Sequence, residues 1–105
     1  MKQLFQESHT FSATGTDVSR LAATGEVAAF NHAYDVRFTG SPTTVSLFIE
    51  YSINGTDWNT LGAEVTAEGT TQVAGVLARY VRFRLATLSG GTSPSVIVHY
   101  MGAPA

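Results

Sequence analysis

The chain has no cysteine in its 105 residues. Disulfides and thiolate metal sites are thereby excluded, and the fold has to rest on burial and backbone hydrogen bonding. Charge is also scarce. Asp, Glu, Lys and Arg make up 13% of the chain, against roughly 25% in an ordinary soluble domain. Threonine and serine fill the gap. Threonine favours strands, and a hydroxyl-rich surface needs little charge to be desolvated when a neighbour covers it. The net charge is −2, and the basic residues Lys2, Arg20, Arg37, Arg79, Arg82 and Arg84 are scattered. The basic excess of a nucleic-acid binder is missing, so no nucleic-acid partner is expected. No apolar run approaches the ~18 residues of a membrane-spanning helix, and no membrane partner is expected. The opening Met1-Lys2-Gln3-Leu4-Phe5-Gln6-Glu7 lacks the apolar core of a signal peptide, so secretion by that route is not expected. No Pro-rich, Ser-rich or charged linker divides the chain. Residues 1–105 are therefore expected to form a single domain around one core.

What is present is β-type patterning broken by turn signals at short spacing. The clearest strand covers 44–52. Val45, Leu47, Ile49 and Tyr51 fall on one face, and Ser46, Phe48, Glu50 and Ser52 on the other, so the first row is the expected core. Asn54-Gly55 then makes a turn, because Gly takes positive φ and Asn visits the left-handed region. Trp58 begins a return strand that runs through Leu61 towards Val65. A second strand covers 80–88, with Val81, Phe83 and Leu85 inward and Arg82 and Arg84 outward. Ser89-Gly90-Gly91-Thr92-Ser93-Pro94 follows as a turn, and 95–101 returns with Val96, Val98 and Tyr100 on one face. Paired as a hairpin, these two strands would set Phe83 opposite Tyr100 and Leu85 opposite Val98. Arg82 and Arg84 would then share an outer face with Ile97 and His99. A third strand covers 34–39, and weaker ones lie around 4–14, 26–30 and 70–77. The expectation is all-β: an antiparallel, jelly-roll-like β-sandwich of about eight strands.

Groups that would converge for catalysis are not evident. His9, His32 and His99 lack the spacing of a metal-binding pair, and no Gly-x-Ser-x-Gly elbow is present. Ser89-Gly90-Gly91-Thr92 has neither the Lys nor the following helix of a phosphate-cradling loop. No enzyme, metal or cofactor is expected. Asn54-Gly55-Thr56 matches a glycosylation sequon but is explained by the turn. Trp58 fits either a cap on the core or a sugar-stacking platform. Outward Phe48 is a candidate interface residue, as are Arg82, Arg84, Ile97 and His99. Truncating either arginine to Ala is expected to leave folding intact. Leu4 and Phe5 suggest a loose contact arm at 1–5.

The stretch from Thr44-Val45-Ser46-Leu47 through Tyr51-Ser52-Ile53-Asn54-Gly55-Thr56-Asp57-Trp58-Asn59-Thr60-Leu61-Gly62 resembles small structural proteins of tailed bacteriophages. So does Ala78-Arg79-Tyr80-Val81-Arg82-Phe83-Arg84-Leu85 with its Ser-Gly-Gly-Thr turn and Ser95-Val96-Ile97-Val98. The likeness covers roughly 34–102. It implies a virion structural protein, foremost a capsid decoration or cement protein. Such a protein is assembled in the host cytoplasm and works as a homo-oligomer, a trimer by analogy, on the major capsid protein or another virion protein. Neck, tail and baseplate components share the pattern. A carbohydrate-binding or host-adsorption module, with Trp58 as the sugar contact, is the alternative.

Overall fold

Ten strand segments occur among the described residues of the computed structural model, which are 5–17, 20–21, 23–24 and 27–104. They are β1 (Phe5–Phe11), β2 (Gly15–Thr16), β3 (Arg20–Leu21), β4 (Ala23–Thr24), β5 (Val27–Thr39), β6 (Thr44–Ser52), β7 (Asn59–Thr60), β8 (Gly69–Ala78), β9 (Tyr80–Ser89) and β10 (Ser95–Ala103). All pair antiparallel, in two sheets. The first sheet runs β1-β10-β5-β4, with β8 also on β5; the second runs β2-β9-β6-β7, with β3 also on β9. The expected all-β sandwich is what forms. It has more segments than the expected eight because four of them are two-residue pieces.

The alternating rows meet in the middle. Tyr34, Val36, Val96, Val98 and Tyr100 from the first sheet face Val45, Leu47, Ile49, Val81, Phe83 and Leu85 from the second, all buried. Leu61 closes one side, with its N–H donating to the Ile49 carbonyl at 2.7 Å. The predicted return strand after Trp58 is interrupted. Only Asn59–Thr60 pairs with β6, and the chain regains it at a bridge between Val65 and Leu47.

The predicted hairpin between 80–88 and 95–101 does not form. β9 pairs with β6 in the second sheet, whereas β10 lies between β1 and β5 in the first. Phe83 and Tyr100 do meet, but across the sandwich, with ring centroids 6.3 Å apart. The connection at 90–94 is therefore a corner between sheets, and so is the one at 40–43 between β5 and β6. The two corners lock together: Thr92 N–H donates to the Gly40 carbonyl at 2.9 Å, and Thr39 and Ser95 hydroxyls hydrogen-bond. Ser41 and Ser93, with φ of 52° and 45°, sit in these same corners.

Of the suggested arm at 1–5, Leu4 and the residues before it lie outside the described residues. Phe5 opens β1 with Gly102 as its register partner. The loose arm is thus corrected at Phe5, whose backbone is part of the sheet.

One polar pair lies in this core. His32 Nε2 is 2.8 Å from the Val76 carbonyl and Nδ1 is 2.7 Å from the Tyr100 hydroxyl. A carbonyl only accepts, so Nε2 carries the proton, and Nδ1 accepts from Tyr100. Burial pushes the His32 pKa below 6.5 and raises that of the Tyr100 phenol, which keeps both groups neutral. The unfolded chain binds a proton on His32 near pH 6.5, where the folded one does not. The contribution is therefore whole above 6.5 and is lost as pH falls from there towards the folded-state value. Urea midpoints are expected to decline over that window, with the His32 ring resonances in NMR titrating below 6.5.

Candidate functional site

The pairing of β6 with β9 builds an ordered polar and aromatic surface on the outer face of the second sheet. Its register sets Glu50 opposite Arg82 and Phe48 opposite Arg84. Directly opposed residues point to the same side of a sheet, so all four share the outer face. Arg82 Nε donates to Glu50 Oε1 at 2.7 Å, and Arg84 Nε donates to Oε2 at 3.1 Å. One carboxylate thus holds two guanidiniums. Each guanidinium is also stacked on a ring: Arg82 over Trp58 at 4.2 Å and Arg84 over Phe48 at 4.4 Å to the centroid. The result is a continuous row, Trp58, Arg82, Glu50, Arg84, Phe48.

Local sequence places each member. Phe48 and Glu50 are outward positions of one strand, and Arg82 and Arg84 of the next. Trp58 is delivered by the loop after β6. There Asn54 Oδ1 accepts the N–H groups of Thr56 and Asp57, both at 2.8 Å, and Ser52 Oγ accepts that of Gly55 at 2.8 Å. Gly55 takes φ of 80°, which the predicted Asn-Gly turn requires. Ile53, 65% exposed, opens this loop directly after β6.

Two expectations are corrected on this face. Glu50, read as an outward polar residue, keeps only 9% of its side chain exposed because the two guanidiniums cover it. Arg82 and Arg84 consequently do more than occupy a solvated surface. Arg82→Ala would strip a charged, covered carboxylate of its shorter hydrogen bond. It is expected to cost about 1–3 kcal/mol, not the ±0.5 kcal/mol or so of a surface change. Arg84→Ala should cost less, since its bond is longer and its side chain more exposed. Thermal melts of the two variants side by side check the order.

The other candidates lie elsewhere. Ile97 and His99 project from β10 on the outer face of the first sheet, beside Met101, which is 41% exposed. His99 and Met101 border an open groove of about 630 Å³ that Gln6, Ala33 and Asp35 also line. The sequence-based grouping of Ile97 and His99 with Arg82 and Arg84 is thus overturned: β9 and β10 belong to different sheets. Trp58 is half-buried, with the Arg82 guanidinium over its ring. Glu50 is the residue that sequence reasoning missed. Its only signal was an acid two positions from an outward Phe, and the strand partner that makes it a clamp is not written in the local sequence.

Among the described residues no group of three or more His, Cys, Asp or Glu side chains could hold a metal ion, and no helix is long and apolar enough to cross a membrane. His9 and Asp17 pair at 3.4 Å on the rim of the sandwich, with His9 edge-on to Phe11.

No family model matches this sequence, and a search of curated proteins finds no match. The fold is shared with a solved structure. The chain is similar to the SPBc2 prophage-derived protein YomS, known from its crystal structure, with a TM-score of 0.68 and 10% identity over 98% of this chain and 95% of that one. At that identity the two have a fold in common, over nearly their whole lengths.

Proposed function

We propose that this chain is a non-enzymatic structural protein of a tailed-bacteriophage particle, and within it a capsid decoration (cement) protein that docks on the major capsid protein. The observation that carries this reading is the row of Trp58, Arg82, Glu50, Arg84 and Phe48. Trp and Arg are the residue types in which interface energy concentrates. Here they are held against one another before any partner arrives, so less side-chain freedom is lost on docking. The sparse charge keeps the desolvation cost of covering the remaining surface low. The fold likeness to a prophage-derived protein supports the phage setting, and the sequence resemblance supports the decoration role.

A sandwich of this size offers limited area to any one partner, while a stable interface buries about 1,200–2,000 Å² in total. Several linked copies gain avidity, so the protein acts as a homo-oligomer, a trimer by analogy with decoration proteins. The test is fractionation of particles of the phage that encodes the chain, with the protein quantified by mass spectrometry in separated heads and tails. Recovery with heads is expected. Recovery with tails would remove the decoration role, and absence from both would remove the virion role.

A further inference from the structure

We infer that the outer face of the second sheet takes a carboxylate-bearing protein segment, an acidic side chain of the partner seating on the outer guanidinium nitrogens of Arg82 and Arg84 between the Trp58 and Phe48 rings. This partner chemistry rests on the docking role proposed for the same face.

Charge balance comes first. Two guanidiniums share one carboxylate, so the row carries a net positive charge on a chain whose net charge is −2. One further carboxylate neutralises it. The hydrogen-bond geometry points the same way. Glu50 takes only the Nε hydrogens, and among the described residues neither arginine's Nη atoms hydrogen-bond to protein. A guanidinium edge is a rigid fork that matches the two oxygens of a carboxylate. Arg82 and Arg84 alternate with buried Phe83 on one strand, so their Cα atoms lie about 7 Å apart and both side chains leave on one face.

The rings supply the third element. Each guanidinium already has one face stacked on an aromatic ring, so part of its hydration is already given up. An ion pair beside those rings is screened less than one in open water. Glu50 argues against nucleic acid as the occupant: a fixed carboxylate in the middle of the row repels a chain of phosphates but leaves room for a single acid on either side.

The experiment is a titration of the isotope-labelled protein followed by NMR at low and at physiological salt. The probe is a blocked hexapeptide of alternating Glu and Gly, and its Gln–Gly counterpart is the control. The Nε–H signals of Arg82 and Arg84 and the indole N–H of Trp58 are expected to shift with the acidic peptide only, and less at higher salt. Arg84→Gln is expected to weaken binding about tenfold. Glu50→Gln, by removing the internal competitor, is expected to tighten it severalfold even as the fold loses stability. A purely structural Glu50 would not produce that opposition. Equal shifts with the neutral peptide, no shifts with either, or tighter binding of an oligothymidylate of equal charge would each overturn the assignment. A parallel arm sediments wild type and Arg84→Gln with phage heads. Heads coated equally by both would retain the capsid role and remove the acid site. Bare heads together with acid-specific shifts would do the reverse.

Discussion

Phe83→Ala is expected to remove about 3–5 kcal/mol of stability, a large share of the roughly 5–15 kcal/mol that holds a domain of this size together. Phe83 is 0% exposed at the middle of β9. Val81 and Leu85 flank it on the same strand, and Tyr100 faces it from the other sheet. Truncation would therefore open a void between two sheets that are each tied into their own ladders and cannot collapse on it freely. The contact with Tyr100 adds a second consequence. Tyr100 also donates to His32, so the void borders the core's buried polar pair. Urea unfolding of Phe83→Ala beside Arg84→Ala measures the contrast. A Phe83 loss no larger than that of Arg84 would mean that the row Val81, Phe83, Leu85 does not form the core.

Gly91→Ala is expected to be comparably damaging although Gly91 lies on the surface. Its φ is 71°, in the left-handed region, and forcing a side chain there costs about 1–3 kcal/mol by itself. Space makes it worse. A Cβ on Gly91 would lie far inside van der Waals contact with the Gly40 carbonyl oxygen and 2.6 Å from that of Ser41. Both are backbone atoms of the facing corner, so no side chain can swing aside. Relief would have to come from parting the corners at 40–43 and 90–94 and breaking the bond from Thr92 to Gly40. The comparison variant is Gly75→Ala, where the φ of 78° carries a similar backbone cost but an added Cβ meets nothing within 4 Å. Calorimetry is expected to show a large drop in melting temperature for Gly91→Ala and a clearly smaller one for Gly75→Ala, which carries the backbone cost without the clash. Similar melting temperatures would mean that the corners are not interlocked.

The amino-acid sequence by itself determined the apolar rows of the core, though not the burial of Glu50 and Ser52 on the outward row. Alternation at 44–52, 80–88 and 95–101 named Val45, Leu47, Ile49, Tyr51, Val81, Phe83, Leu85, Val96, Val98 and Tyr100 as inward, and all are buried except the half-buried Tyr51. Asn54-Gly55 announced its turn, because the chemistry of that loop lies within a few residues. Tertiary structure alone decided which strands are neighbours. A strand's period of two says which side faces the core, but it is the same whether the next strand lies beside it or across from it. The apolar rows of β9 and β10 can be buried side by side under another layer or face to face as two layers. The interlocked corners at Gly40 and Gly91 select the second, and those contacts join residues some fifty positions apart in the chain. The candidate site depended on that choice. Arg82 and Arg84 were visible as outward residues, but their clamp on Glu50 and their stacking on Trp58 and Phe48 exist only because β9 lies beside β6. An ion pair between strands is set by register, and register is fixed by packing of the whole sandwich rather than by any local run of residues.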